Sequence, residues 1–386
     1  MDMELTAEHR MLVDTVSKFM VREVAPLAET IDRENRFPVE AWRKLGELGL
    51  MGITVPEHYG GAGEGLLAAS LVLEEIGAQC SALALSYVAH TILCTDTLYR
   101  NANEDQRRQY LPGLCSGQSI GALALTEPNA GSDAISMQTS ARKDGDRYLL
   151  NGSKTFITNA PVADLFVVYA KTDRNAGAKG ISAFIVEKEF EGFSVARELE
   201  KLGNRGSPTG EIVFDDCIVP ADNLLGEENR GVAVMMSALD RERVAVAAPA
   251  LGLARGAMHL ALSYARERVQ FGQPIGEFQL IQGKLADMYT QIEAAKLLVY
   301  KAALLADRSD RGGRGTELHK LAAAAILFAG EMATRVSLEA LQIHGGYGYT
   351  LEFPINRYLR DAKIYEIGAG TSEIRRLIIG RELLAS

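Results

Sequence analysis

Residues Met235 to Val246 read Met-Met-Ser-Ala-Leu-Asp-Arg-Glu-Arg-Val-Ala-Val. The stretch has no Gly or Pro and is dense in helix formers, so it predicts the interior of a long helix. Met235, Leu239, Glu242 and Val246 are spaced four, three and four apart and share one face. A single carboxylate thus sits on an apolar stripe, while Asp240, Arg241 and Arg243 project elsewhere. Apolar surroundings disfavour the ionised form and raise the pKa. A general base working near neutral pH needs that tuning. The ordinary alternative for such a residue is pairing with an arginine or facing a wet groove.

Other stretches carry chemistry of their own. Thr126-Glu127-Pro128-Asn129-Ala130-Gly131-Ser132-Asp133 is a polar loop after the apolar run Ala122 to Leu125. Its N–H groups and hydroxyls suit a phosphate or the edge of a heterocycle. Phe156 and Thr158 lie two apart in an extended segment and point to one side. There an aromatic could flank a planar cofactor while a hydroxyl bonds it. Gly368-Ala369-Gly370-Thr371-Ser372-Glu373 precedes the last helix. It lacks the βαβ context of a dinucleotide fingerprint. Its small residues still allow close approach, and Thr371 and Ser372 at a helix N-terminus suit a phosphate.

These pieces are spread over three textures. Residues 1–120 read as helices, with Leu12, Val13, Val16, Phe19, Met20, Val24 and Leu27 on one stripe. Gly49 to Pro56 reads as a short extended piece. Residues 121–230 read as short strands and turns, including Tyr148 to Leu150 ending in an Asn151-Gly152 turn, Leu165 to Ala170, Ile181 to Val186 and Glu211 to Phe214. No helices are interposed, so a mainly antiparallel sheet is expected. Residues 231–386 are again helical, with a surface loop at Asp307 to Gly315. The class is α+β.

The composition narrows the function. The 386 residues allow two or three domains, with 47% hydrophobic and 24% charged residues. A net charge of -9 without a basic block argues against nucleic acid as partner. Cys80, Cys94, Cys115 and Cys217 form no CxxC pair, so neither a metal site nor a disulfide framework is suggested. The start, Met1 to Leu5, has no signal-like apolar region, and no uninterrupted apolar run is long enough to span a bilayer. A cytoplasmic place is expected, or an organelle matrix for a processed chain.

Together the segments closely resemble the acyl-CoA dehydrogenase family over essentially the whole chain. The motifs are LTEPNAGSD from Leu125, NGSKTFITN from Asn151, RVQFGQP from Arg268, QIHGGYGY from Gln342 and RDAKIYEIGAGTSEIR from Arg360. KLGELGLMGITVPEHY from Lys44, ALSYVAH from Ala84 and FQLIQGKLADMYT from Phe278 are similar to the isovaleryl-CoA dehydrogenase subgroup. The resemblance implies an N-terminal helical domain, a middle antiparallel β domain and a C-terminal four-helix domain around one FAD, assembled as a homotetramer. It implies an acyl-CoA substrate, loss of a Cα proton to a base and of a Cβ hydride to flavin N5, and an electron-transfer flavoprotein as acceptor. The competing substrate within this fold is an acyl or prolyl thioester on a carrier protein. The competing class is a non-catalytic flavin scaffold.

Most of this family places its base in a Tyr-Glu-Gly-Thr motif, and that position is Ala369 here. In the isovaleryl type the base stands where this chain has Glu242. The resemblance then implies Glu242 as the base and the Ala369 backbone N–H as a donor to the thioester oxygen. It implies flavin contacts from Leu123, Leu125, Thr126, Gly131, Ser132, Phe156, Ile157 and Thr158. Arg268, Phe271, Gln279, Gln342, Ile343, His344, Gly345 and Gly346 should reach the FAD of a neighbouring subunit. Thr371, Ser372 and Glu373 should meet the cofactor's phosphate or ribose side. Ser132, Asp240, Arg241, Arg243, Val246, Gly368, Ala369 and Gly370 should meet substrate. Three positions depart from the pattern. Phe156 replaces the usual Trp, and Val246 and Ala233 are smaller than the Leu and Tyr of the isovaleryl type, which enlarges the expected acyl pocket.

Overall fold

The computed structural model describes residues 5–309 and 312–385. The first helices are α1 (Ala7–Phe19), α2 (Ala28–Glu34), α3 (Val39–Glu47), α4 (Leu66–Gln79), α5 (Ser81–Val88), α6 (Thr97–Asn101) and α7 (Glu104–Ser116). Thr6 caps α1 by accepting the His9 N–H at 3.2 Å. A π-helical turn, Met20–Val24, follows α1. Its wider winding shifts the phase of the apolar stripe, and Leu27, expected on that stripe, is exposed. Another π-helical segment, Ala89–Asp96, joins α5 to α6. Gly49 to Pro56 is not extended but a run of turns. Its N–H groups find carbonyls close in sequence, as in Leu50 to Leu45 and Val55 to Gly52.

The sheet is built from β1 (Gly121–Ala124), β2 (Ser140–Asp144), β3 (Arg147–Thr158), β4 (Leu165–Lys171), β5 (Ile181–Glu187), β6 (Phe193–Glu198), β7 (Thr209–Pro220) and β8 (Leu224–Leu225). The order is β6-β7-β3-β2-β4-β5-β8, with β1 beside β4. Pairing is antiparallel except that β4 runs parallel to β1 and touches β2 in parallel. The period of two divides β4 between two cores. Leu165, Val167 and Tyr169 pack with Cys94, Leu98, Leu114 and Met235 of the helical part. Phe166, Val168 and Ala170 pack with Tyr148, Phe184 and Phe214 on the other side. The Asn151-Gly152 turn is a correction. β3 runs straight through it with a register shift, and the hairpin turn lies between Asp144 and Arg147. A two-residue type I′ turn needs positive φ at both residues. Only Gly152 has one, at 144°.

The C-terminal helices are α8 (Gly231–Glu267), α9 (Gln279–Arg308), α10 (Glu317–His344), α11 (Ile355–Ala362) and α12 (Ser372–Ala385), with a small hairpin of β9 (Val269–Gln270) and β10 (Gln273–Pro274). Helices α8, α9, α10 and α12 pack together, and α4 lies along α8. That crossing is close because a Cβ at Gly252 would strike the Glu74 carbonyl. Both α8 and α10 contain windows long and apolar enough to cross a membrane, although neither is an uninterrupted apolar run. Most of each window, 72% and 61%, is buried in the fold, as in core helices. Asp307 and Arg308, expected in a loop, end α9 instead. The Asp307 carboxylate accepts the Leu66 and Leu67 N–H groups at 2.5 and 3.0 Å and caps α4. The loop readings at Asp310 and Arg311, and those on Met1 to Glu4, lie outside the described residues.

Helices and sheet are pinned together at His90. Its Nδ1 accepts the Gly121 N–H at 2.9 Å and its Nε2–H donates to the Leu114 carbonyl at 3.0 Å. Accepting at Nδ1 requires the neutral ring, and burial lowers its pKa to about 4. An unfolded histidine takes its proton near pH 6.5. Between pH 6.5 and 4 the unfolded chain therefore binds more protons, and stability falls as pH drops, by about 2–3 kcal/mol from this ring at pH 4.5. Urea unfolding of the wild type and His90→Gln at pH 7 and 4.5 should show a smaller acid loss in the variant. An equal loss in both would refute this role.

Candidate active site

Of four consecutive ionisable residues of α8, Asp240, Arg241 and Arg243 are buried and Glu242 is half-buried. Glu242 shares its face with Met235 and Val246, both buried, and half-buried Leu239. Burial pushes its carboxyl up to about 7, while Arg243 and, from α12, Arg375 pull the other way. From β4, the fully buried Tyr169 hydroxyl has no hydrogen-bond partner among the described residues. Burial, then the charge of Glu242, raises its pKa well above the usual phenol value.

The neighbours of Glu242 are bound to the protein itself. Asp240 accepts from His319 Nδ1 at 2.7 Å, Arg243 Nη1 at 2.9 Å and the Gly313 N–H at 2.6 Å. Arg241 donates to Asp96 at 2.9 Å, and Arg100 reaches the same oxygen at 2.9 Å. Burial opposes charge on Asp96, but these two arginines hold its carboxyl below the ordinary range. Asp240, Arg241 and Arg243, expected to meet substrate, are thus each paired within the protein, as burial demands. Asp240 and Arg241 still line a cavity of about 530 Å³, with Arg100, Arg107, Ala233 and Ser237. Arg243 does not.

The loop after β1 is tied to β3 by a buried ion pair. The Glu127 carboxylate accepts the Gln138 and Thr139 N–H groups at 2.5 and 3.0 Å and meets Lys154 Nζ at 2.8 Å. Lys154 also donates to the Leu125 carbonyl at 3.1 Å. Burial lowers the Lys154 ammonium to about 8 against the pull of Glu127. Phe156 stands at φ 59° beside a register shift in β3, with its ring 69% exposed. The hydroxyls of Thr126, Ser132 and Thr158 have no hydrogen-bond partner among the described residues. An open aromatic ring beside free hydroxyls fits a planar, hydrogen-bonding ring system such as a flavin. Ile157 corrects the expected set: its side chain faces the sheet core, leaving only its backbone for a ligand.

The turn before α12 supplies a further donor. Ala369 is at φ 57° and Gly370 at φ 89°. The half-buried Ala369 has an N–H with no acceptor among the described residues. Thr371 caps α12 by accepting the Ile374 N–H at 3.4 Å, and the buried Ser372 hydroxyl has no partner among the described residues. Its own backbone N–H and the Thr371 side chain lower the Glu373 pKa.

A separate group lies on the outer C-terminal surface. Arg268 stacks over Tyr347 at 5.4 Å, Phe271 is 95% exposed, and Gln279, Gln342, Gly345 and Gly346 are exposed. Ile343 and His344 do not join them. Ile343 is in the core, and His344 is buried against Tyr264 with ring centroids 4.4 Å apart.

Comparison with known proteins agrees with this geometry. Family profiles match in chain order: acyl-CoA dehydrogenase, N-terminal domain at residues 6–118, middle domain at 122–217 and C-terminal domain at 229–384. The chain is 52% identical over 381 residues to a mitochondrial isovaleryl-CoA dehydrogenase of Pongo abelii, covering 98% of this chain and 89% of that one. Among solved structures, butyryl-CoA dehydrogenase from Megasphaera elsdenii superposes with a TM-score of 0.95 at 41% identity, covering all of both chains. A chain from the structure of the electron transferring flavoprotein of Acidaminococcus fermentans superposes with a TM-score of 0.97 at 42% identity, again over all of both.

Sequence reasoning missed the Glu127–Lys154 pair, and it missed Arg100 and Arg107, which join Arg241 in lining the cavity. A lysine at an inward position of β3 was the available signal for the first. Lys154→Met should leave Glu127 buried without its partner and cost about 3–5 kcal/mol. Adding Glu127→Gln should recover most of it. Urea unfolding of the three proteins checks this, and a single variant as stable as the wild type would remove the pair from its supporting role.

Proposed function

The chain belongs to the acyl-CoA dehydrogenase family, and from that premise we propose that it oxidises short, β-branched acyl-CoA thioesters of the isovaleryl kind to 2,3-enoyl-CoA, with Glu242 as base. Enzymes of this family are flavin-dependent, with FAD as cofactor. Phe156, Thr126, Ser132 and Thr158 on one side, and Thr371 to Glu373 on the other, are the residues that would hold it. When bound, FAD supplies the hydride acceptor.

The observation carrying the proposal is the reciprocal state of two positions. Glu242 is a carboxyl raised toward 7 in an apolar seam, and Ala369 offers a free N–H but no carboxylate. A thioester α-proton is weakly acidic, so its removal needs the developing oxyanion to be met by fixed donors. The Ala369 N–H serves there, and Glu242 takes the proton. Val246, Gly368 and Ala369 are small and leave room for branching at Cβ. The isovaleryl-CoA relative at 52% identity supports that choice.

Arg100, Arg107 and Arg241 suit the phosphates of the CoA carrier in the cavity beside Asp240. Phe271, Leu280, Tyr349 and Leu351, all exposed on the C-terminal part, support a homotetramer in which Arg268, Gln279, Gln342, Gly345 and Gly346 reach a neighbour's FAD. An electron-transfer flavoprotein is the acceptor in this reading.

Isovaleryl-CoA added anaerobically should bleach the flavin absorbance of the holoenzyme. Glu242→Gln should lower kcat at least ~1000-fold, while Ala369→Gly stays within a few-fold. The base must be ionised, so log kcat/KM should rise with slope one up to about pH 7 and level off above it. Full turnover in Glu242→Gln would sink the assignment. An enzyme that ignores isovaleryl-CoA but oxidises a carrier-protein thioester would replace the substrate and keep the chemistry.

In a second test, Arg107→Gln should raise KM for the CoA thioester about tenfold without changing that for an N-acetylcysteamine thioester, which has no phosphates. Equal effects on both would move the carrier out of that cavity.

A further inference from the structure

Arg375 lies in α12 with its side chain fully buried. Among the described residues no carboxylate forms an ion pair with it. Its Nη2 donates to the Gly368 carbonyl at 2.5 Å, and its Nη1 to those of Tyr365 at 2.6 Å and Ile326 at 3.4 Å. Its Nε is buried without an acceptor. The nearby carboxylates are engaged elsewhere, Glu331 with Arg376 at 2.6 Å and Glu366 with Lys363 at 2.8 Å. Gly330 makes room, since a Cβ there would crowd the Tyr365 carbonyl and Arg375 Nη1.

A buried cation held only by carbonyls is an expensive way to brace a turn. Its surroundings indicate a second use. Two of its three carbonyls bracket the turn whose next N–H belongs to Ala369. The cations whose charge reaches Glu242 are Arg243 from its own helix and Arg375 from α12, and the charge of Glu242 in turn reaches the neutral Tyr169 of β4. Arg243 is already paired with Asp240. Arg375 is the one of these two cations with no carboxylate of its own.

We propose that Arg375 is a positioning residue for proton abstraction: it fixes the Gly368-to-Gly370 turn that presents the Ala369 N–H to the acyl oxygen, and its charge keeps Glu242 ionised between turnovers. The inference rests on Glu242 being the base. Its two halves separate in two variants. Arg375→Gln removes the charge, while Arg375→Lys keeps it but cannot bridge the Gly368 and Tyr365 carbonyls.

In the holoenzyme, Arg375→Gln should move the acid limb of kcat/KM up by about one pH unit, which alone lowers the rate at pH 7 about fivefold. The same shift should appear without substrate, in the infrared titration of the protonated carboxyl band that Glu242→Gln abolishes. Arg375→Lys should keep the limb within a few tenths of a unit yet lose about tenfold or more in plateau kcat.

An unmoved infrared titration in Arg375→Gln, or full plateau kcat in Arg375→Lys, would overturn the inference and leave Glu242 as base. Full turnover in Glu242→Gln would overturn the base itself. If Arg375→Gln does not fold as a flavoprotein, the lysine variant decides: a retained limb with lost kcat supports the role, and wild-type kcat rejects it.

Discussion

Desolvation of charge on α8 is the constraint on which the site depends. Asp240, Arg241, Glu242 and Arg243 are consecutive on a helix at the centre of the molecule, and an unpaired ion there is unfavourable by several kcal/mol. Three of the four are neutralised from outside their turn or across it. Asp240 meets His319 and Arg243, and Arg241 meets Asp96. Asp96 is shared with Arg100, and His319 belongs to α10. Pairing the others so completely leaves Glu242 as the group whose proton can come and go at neutral pH. The ion pairs around it keep that one carboxyl different from its neighbours.

The sheet contributes the opposite wall by the same rule. A loop bearing hydroxyls is useful only if it stays put, and Thr126 to Asp133 has little apolar surface of its own. Glu127 turns inward and is met by Lys154 and two backbone N–H groups. The Thr155 N–H bonds the Thr126 carbonyl at 2.9 Å. The loop is fixed from beneath, and its outer hydroxyls remain free. The bulge that follows in β3 turns Phe156 outward at φ 59°, giving an open aromatic face within a strand whose next residue, Ile157, is core.

What was legible in the sequence follows from how local its cause is. The face shared by Met235, Leu239, Glu242 and Val246 depends only on helical spacing, so it could be read from twelve residues. The three textures of the chain were legible for the same reason. The partners of Arg241 and Asp240 stand 145 and 79 positions away, and no local pattern announces them. The sequence marked Asp240, Arg241 and Arg243 as substrate contacts, and their pairing within the protein is visible only in the fold. Local signals also failed where a tertiary demand overrode them. Asn151-Gly152 reads as a turn, yet the long β3–β7 pairing carries the strand through it with a bulge. Leu27 lost its place on the α1 stripe because a π-helical turn intervenes. Ile343 and His344 belong to a glycine-rich motif, but α10 is still helical there and turns both into the core.

The turn at Ala369 holds a strained main chain with no polar side chain to lock it. A non-glycine residue in the left-handed region costs roughly 1–2 kcal/mol, and alanine has no polar group to recover it. The strain persists because Arg375 holds the carbonyls on the N-terminal side and the Thr371 cap holds the C-terminal side. That geometry leaves a main-chain N–H without an acceptor among the described residues, which any residue but proline would supply at 369. In the proposed reaction the proton acceptor, Glu242, has no such tie to the turn. It needs only an apolar seam within reach of the same substrate carbon, and the face of α8 that carries Glu242 provides one. Donor and base are thereby fixed by different elements, and a small residue at 369 opens space beside the thioester.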